Sequence, residues 1–272
     1  MKKQQPCRPF LKWAGNKYRI MERIQRLLPE GQRLIEPFTG SAAVFLNTEY
    51  DHYLLTDNNP DLISLYQHLQ QHGADFIHYC KRFFNGKHNT AELYYKRRDD
   101  FNKTTNARKK AALFLYLNRH GYNGLCRYNL KGGFNVPFGR YKRPYFPAEE
   151  MLNFHHKTRR AEFRLADFSS VMQQAQKGDV IYCDPPYHPL SASANFTSYS
   201  AGGFKEAQQR QLAELAKDCR QREIPVLISN HNTRFTLDVY NGAQLDRFKV
   251  RRYISCNGKQ RNHAGELLAL FS

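Results

Sequence analysis

Asp184-Pro185-Pro186-Tyr187 ends an apolar run, Val180-Ile181-Tyr182-Cys183. The run reads as a buried strand that delivers a carboxylate, two prolines and an aromatic ring to its carboxyl end. In open α/β sheets, ligands bind in the crevice at that end of the strands. Two prolines cannot continue a ladder, and they stiffen the turn that follows. Such a turn presents a carboxylate oxygen, a backbone carbonyl freed from pairing and a flat aromatic face. Together these suit one small planar amine. Taken alone, the tripeptide reads better as an ordinary proline turn, so the elements around it must decide.

The stretch from Leu34 to Phe45 reads as a short strand, a tight loop and a helix, with Thr39 or Ser41 available as its cap. Tyr53 to Asp57 follows as a second strand, ending in an acid 17 residues beyond Gly40. A strand, a small-residue loop, a helix and a strand ending in Asp is a layout that binds an adenosine group, with the acid accepting from ribose hydroxyls. Without G-x-G-x-x-G, a dinucleotide pyrophosphate fits poorly. A plain helix-capping role for Asp57 is an even alternative here. A third strand, Glu162 to Leu165, leads to Asp167 and Phe168. This acid and aromatic could hold an adenine ring, or Asp167 could cap the helix that runs to Gln176. Phe10 to Lys17 is a small-residue turn before a helix from Tyr18 to Leu28, and its Trp13 and lysines either pack the core or line a crevice. A polar loop from His188 to Gly203, which could fold over a substrate, leads to a helix through Leu212, Leu215, Ala216 and Cys219. A buried strand from Pro225 to Asn230 and a hairpin of Gln244–Ser255 with Glu266–Phe271 complete an α/β sheet.

The composition points to a polyanionic partner. The chain has 272 residues, 41% hydrophobic content and a formal charge of +18. From Lys81 to Arg143 there are sixteen Lys and Arg against three acids. A second stretch, Arg247 to Arg261, carries six and no acid. Basic runs on single helices are commonly solvated faces. Here the run is long and interleaved with Phe, Tyr, Asn and Gly, which suits phosphates with planar groups for bases. An acidic membrane surface is the rival, but no amphipathic anchor is evident. No apolar run reaches a membrane span, and Met1 to Gln5 lacks a signal-peptide core, so the expectation is a cytoplasmic protein. The six scattered cysteines predict neither disulfides nor a metal site.

The basic segment interrupts the sheet. Helical patterns run over Asp61–Gln71, Asp75–Phe84, Ala91–Phe101 and Arg108–Asn118, the last packed through Leu113, Phe114 and Leu117. Glycine and asparagine then mark a β-hairpin or projecting loop between Asn118 and Tyr141. The predicted layout is a catalytic domain of residues 1–59 and 148–272, with a mostly helical insert of residues 60–147. Adenine N6 is the planar amine that fits both halves. Its lone pair is delocalised into the ring, and bonds to the Asp184 carboxylate and the Pro185 carbonyl would favour a pyramidal nitrogen able to attack the methyl sulfonium of S-adenosylmethionine. Tyr187 would stack on the base, which must first leave its duplex.

Phe10–Lys17, Glu36–Phe45, Asn118–Tyr141 and Asp184–Tyr187 resemble, in the same order, segments of Dam-type DNA adenine-N6 methyltransferases, and the similarity runs from Phe10 to Phe271. The resemblance implies a Rossmann-like S-adenosylmethionine-dependent methyltransferase sheet with an inserted target-recognition domain, acting on GATC in double-stranded DNA, and the expected state is a monomer. It implies that Asp184, Pro185, Pro186 and Tyr187 are the catalytic tetrad, and that Trp13, Lys17, Asp57 and Asp184 contact the cofactor. Glu36, Phe38, Gly40, Asp167 and Phe168 join that site from their strand-end positions. By resemblance, Lys12, Leu125, Arg127 and Pro137 read sequence, Tyr122 intercalates, Asn123 lies near the orphaned thymine and Arg140 contacts phosphate. Two departures stand out: Asn16 in place of a glycine, and Ser41-Ala42-Ala43 where the cofactor loop is expected to have glycines. Non-catalytic DNA binding on a relic fold, or methylation of RNA or protein amines, are the alternatives.

Overall fold

The computed structural model describes residues 6–84, 89–189, 204–251 and 263–272. Seven strands form one sheet: β1 (Arg33–Glu36), β2 (His52–Asp57), β3 (Ala161–Leu165), β4 (Asp179–Cys183), β5 (Val226–His231), β6 (Gln244–Arg251) and β7 (His263–Phe271). Their order is β3-β2-β1-β4-β5-β7-β6, parallel from β3 through β5, with β7 antiparallel to both neighbours. The chain winds outward from β1 in one direction and from β4 in the other. These two central strands pair Leu34 with Val180 and Ile35 with Ile181. The topological switch therefore lies between them, and their carboxyl ends carry Glu36 and Asp184. This is the Rossmann-like arrangement expected from the sequence.

Strand alternation sorts the core onto two faces. Leu34, Tyr53, Leu55, Val180 and Tyr182 pack with α1 (Met21–Leu27), α2 (Ala43–Leu46), α3 (Pro60–Lys81), α5 (Ala107–His120) and α6 (Ala148–Lys157). Ile35, Leu54, Ile181, Cys183, Val226 and Ile228 pack on the other face with α7 (Phe168–Gln173), α8 (Glu206–Gln221) and α9 (Arg234–Val239). All five residues of β4 are buried, which is why the strand reads as one apolar run rather than an alternation.

Between β2 and β3 the chain forms α3, α4 (Ala91–Lys103) and α5 before reaching α6. The break expected between Gln71 and Asp75 falls at Gly73, where α3 kinks. Every residue from Ala111 to Asn118 is buried, and α5 is accordingly apolar around its whole circumference rather than along one stripe. The hydrophobic cluster of this segment is continuous with that under the sheet.

The projecting loop after α5 departs from a regular hairpin. Only two isolated antiparallel bridges, Gly121–Phe138 and Tyr128–Phe134, hold its legs among the described residues. Side chains supply the rest: Arg127 Nε donates to Asn135 Oδ1 at 2.8 Å, and Tyr128 OH donates to Asp61 Oδ2 at 2.7 Å. The tip is closed by Asn129 Oδ1, which accepts from the backbone N–H groups of Lys131 and Gly133. The final hairpin spans β6 and β7. Its expected turn, and the polar loop from residue 190 to Gly203, lie outside the described residues.

Candidate active site and nucleic-acid interface

Two acids, one aromatic ring and one lysine gather where β1 and β4 end. Asp184 leaves β4 with Pro185 buried behind it and Tyr187 half-buried. The Lys17 ammonium lies 2.8 Å from Asp184 Oδ1, donates to the Gly15 carbonyl and sits 4.6 Å from the centre of the Tyr187 ring. Burial pushes the Asp184 carboxyl above the usual carboxylate range, and the Lys17 cation opposes that shift. Glu36, 2% exposed, is pushed up to about 8 by burial, against a hydrogen bond from the Phe45 backbone and with added repulsion from Asp184. Its Oε1 is buried with no hydrogen-bond partner among the described residues.

The loop after β1 is held from three sides. Asp57 Oδ2 accepts from Gly40 N–H at 3.1 Å, and Asp57 Oδ1 accepts from Asn59 N–H at 3.0 Å. Tyr66 OH donates to the Gly40 carbonyl at 2.6 Å. Gly40 adopts φ +46°, and a Cβ there would lie 2.8 Å from Trp13 Nε1, so the indole closes directly on the backbone. Neither Thr39 nor Ser41 caps α2. The cap is Ala42 in the left-handed region at φ 57°, and Thr39 Oγ1 instead donates to the Glu36 carbonyl. Asn16 is not in the left-handed region; that conformation falls on Gly15. Asp57 therefore braces the loop, and burial raises its pKa despite three backbone donors.

Asp167 resolves as an exposed helix cap. Its Oδ1 accepts from Ser169 N–H and from Ser169 Oγ. Phe168 stacks on Phe38 at 5.3 Å between ring centres, and Phe204 meets both edge-on at 5.5 Å. These rings offer flat apolar faces near the same strand ends.

The turn itself is positioned by groups that sequence reasoning missed. Gln209, 1% exposed on α8, donates from Nε2 to the Pro186 carbonyl at 2.8 Å and accepts at Oε1 from Asn230 Nδ2 at 3.0 Å. Asn230 Nδ2 also donates to Tyr240 OH at 2.9 Å, and Asn230 Oδ1 accepts from the backbone N–H groups of His188 and His231. Asn230 is fully buried at the end of the apolar strand β5, and a polar residue ending such a strand is the signal that could have found it.

A second constellation lies along Lys12, residues 121–127 and residues 135–141. Asn118, fully buried, bridges the two segments: Nδ2 donates to the carbonyls of Lys12 at 2.7 Å and Gly124 at 3.1 Å, and Oδ1 accepts from Lys12 N–H at 2.9 Å. A Cβ on Gly124 would stand 2.2 Å from Lys12 Cβ, so only glycine allows this approach. Lys12 Nζ lies 3.6 Å above the Tyr141 ring and donates to the Arg119 carbonyl at 3.2 Å. Burial, then the Arg119 cation, lowers its pKa to about 8. Tyr141 OH accepts from Asn123 N–H, and Tyr122 N–H donates to the Pro137 carbonyl. Lys12, Tyr122, Asn123 and Pro137 are thus brought together, with Leu125 half-buried beside them and the Tyr122 ring 52% exposed. Arg127 is exposed further along, its guanidinium fixed by Asn135, and Arg140 is exposed at φ 54°. Asn118 and Tyr141 were not singled out from the sequence.

The residues of the first constellation fit a cationic nucleoside ligand. An orphaned buried carboxylate oxygen accepts an ammonium, the aromatic cluster accepts a purine face, and the Gly40 cradle admits close approach to the backbone.

Residues 13–254 match the family model of D12 class N6 adenine-specific DNA methyltransferases. The chain is 52% identical over 273 residues to a DNA adenine methylase of Vibrio cholerae serotype O1, covering 100% of this chain and 98% of the relative. It is 51% identical over 264 residues to the DNA adenine methylase of Escherichia coli strain K12, covering 97% and 95%. Among solved structures, a precorrin-8w decarboxylase of Methanobacterium thermoautotrophicum aligns over 99% of this chain and 100% of its own, with 9% identity and a TM-score of 0.43. A family match across most of the chain, together with relatives half identical from end to end, means that the chain belongs to the D12 class of N6 adenine-specific DNA methyltransferases.

Proposed function

We propose that this adenine-specific DNA methyltransferase acts on GATC in double-stranded DNA, takes its methyl group from S-adenosylmethionine, and reaches adenine N6 only after the base has swung out of the helix. The observation that carries the reading is the meeting of Asp184, Tyr187, Lys17 and Glu36, whose Oε1 has no partner among the described residues, at the β1–β4 switch. Trp13, Lys17, Glu36, Phe38, Gly40, Asp57, Phe168 and Asp184 hold the cofactor, with Asp167 at the rim. The cofactor, when bound, supplies an electrophilic methyl group on a sulfonium.

The chain's own groups do the rest. Asp184 and the Pro185 carbonyl accept from the two N6 protons and orient the nitrogen lone pair, Tyr187 stacks on the ring, and the two prolines keep these groups fixed while the bond forms. Residues 60–147 supply DNA recognition, and residues 1–59 with 148–272 supply catalysis. Lys12, Leu125, Arg127 and Pro137 read base edges, the exposed Tyr122 ring fills the gap left by the base, Asn123 faces the orphaned thymine and Arg140 holds phosphate.

The test is transfer of labelled methyl groups to duplexes that differ only at one GATC. Wild-type protein should label the GATC duplex and not its GTTC counterpart, and Asp184→Ala should abolish transfer while melting as wild type. Equal labelling of adenines outside GATC would refute the specificity, and an active Asp184→Ala variant would refute the site.

A further inference from the structure

The chemistry assigned to the target amine needs two contacts, a carboxylate oxygen of Asp184 and the face of Tyr187. In the free chain one group already makes both: Lys17 Nζ lies 2.8 Å from Asp184 Oδ1 and 4.6 Å from the centre of the Tyr187 ring. The side chain is 7% exposed, and a third donor contact to the Gly15 carbonyl fixes its direction. We infer that Lys17 is a positioning residue that stands in for the target amine, holding the acceptor set in place until the adenine enters and displaces it. The inference rests on the reading of Asp184 to Tyr187 as the acceptor of N6.

Two physical consequences follow. An ammonium is a stronger partner for a carboxylate than a neutral amine, and separating a buried ion pair is costly. Adenine therefore cannot take the place of Lys17 by its amine alone. Binding energy gathered along the DNA must contribute, so a duplex making incomplete contacts leaves the pocket closed. The cation also opposes the rise in the Asp184 pKa that burial imposes, and it does so only while it stays. Among the described residues, the other titratable groups that act within this cluster are Glu36, Tyr182, Tyr187, Cys183 and Glu266, with Lys157 a second cation that acts on Glu36. Lys17 is the cation that acts on Asp184 itself.

The pH dependence of the two steady-state parameters separates this role from a merely structural one. The acid limb of kcat/KM for DNA reports the enzyme before DNA binds, and that of kcat reports the complex. Lys17→Met should move the kcat/KM limb to higher pH, because Asp184 loses its cation, and leave the kcat limb in place, because Lys17 has already left in the complex. Lys17→Arg should restore the kcat/KM limb. Limbs that move together, or a kcat/KM limb that does not move, would overturn the inference. The wild-type protein gives a second readout that needs no folded variant. With 15N-labelled lysine, Lys17 should show a protected ammonium resonance in the free protein, unchanged by a duplex with an abasic target and lost or shifted with the adenine duplex and S-adenosylhomocysteine. A resonance identical in both complexes, or none in the free protein, overturns it. An Asp184→Ala variant that still methylates would instead overturn the acceptor reading itself.

Discussion

Replacing Gly40 by alanine perturbs the cofactor loop in two ways that the structure allows to be counted. Gly40 sits at φ +46°, where an L-residue costs about 1–2 kcal/mol. The new methyl would also lie 2.8 Å from Trp13 Nε1 and 3.2 Å from Cδ1, forcing the indole to move, and overpacking of this kind costs about 1–3 kcal/mol. The sum, roughly 2–5 kcal/mol, lowers the melting temperature by about 5–15 °C in a chain of this size. Trp13 is the only tryptophan in the sequence, so its emission reports on the contact itself. The expected result is a shifted emission maximum in the folded variant, an earlier unfolding transition and weaker binding of S-adenosylmethionine by calorimetry. Ala42→Gly is the control. It relieves about 1–2 kcal/mol of left-handed strain but loses a buried methyl worth about 0.8 kcal/mol and adds about 0.4–1 kcal/mol of chain entropy, leaving stability within about 1 kcal/mol of wild type. A Gly40→Ala protein with wild-type emission and melting temperature would refute the packing of Trp13 on the loop.

Other perturbations address the rest of the site. The folded-state pKa of Glu36 is raised from 4.5 to about 8, so its contribution to stability is full below pH 4.5 and is lost as pH rises through 8. Glu36→Gln should flatten part of that decline in denaturant titrations, with Asp57 and Asp184, also raised, retaining the remainder. An unchanged pH slope in Glu36→Gln would contradict its burial as an unpaired acid. Gln209→Leu strands the Pro186 carbonyl and one of the two N–H groups of Asn230 Nδ2, the other still reaching Tyr240, at about 1–3 kcal/mol for each group left unsatisfied. It should lower kcat with little change in KM for DNA, and a change in KM alone would place Gln209 outside the positioning of the turn. Arg127→Ala should relax discrimination at one base pair by about 1–3 kcal/mol, measured as the ratio of kcat/KM on duplexes differing at that pair. Uniform weakening on all duplexes would make Arg127 a phosphate contact instead.

What was legible in the sequence depended on whether the signal was local. β1, β2, β4 and β5 were readable because strands covered on both faces are continuous apolar runs, and that legibility carried over to the places of Gly40, just beyond β1, and Asp57, at the end of β2. α9 was not, since six residues with a Thr233–Thr236 capping box offer too little periodicity. The left-handed Ala42 gave no signal, because alanine does not announce positive φ as glycine does. Asn118 and Gln209 escaped notice because their partners are distant in sequence, Lys12 at 106 residues and Asn230 at 21. Each is a buried polar residue on a helix, and such groups must find partners somewhere. The hairpin was announced by its glycines and asparagines, yet turn chemistry does not reveal whether a ladder forms, and here two isolated bridges are supplemented by Arg127–Asn135 across the legs and by Tyr128–Asp61 to α3.

The electrostatics of the free site argue for the kind of ligand it takes. Glu36, Asp57 and Asp184 are all shifted toward the neutral acid by burial, and among the described residues Lys17 offsets the charge of Asp184 and Lys157 that of Glu36. A positively charged ligand would favour the ionised form of these buried acids. The cofactor proposed above carries two such charges, an ammonium and a sulfonium, and its product keeps only the first. Methyl transfer therefore removes part of the attraction that holds the ligand. In the function proposed above, Glu36, with its orphaned oxygen, would meet the ammonium that substrate and product share, and Asp184 would be the carboxylate at the reacting centre. The same unbalanced charge accounts for the placement of Lys17 across Asp184 in the free chain: an acid desolvated enough to grip a neutral amine needs a cation to keep it ionised while it waits.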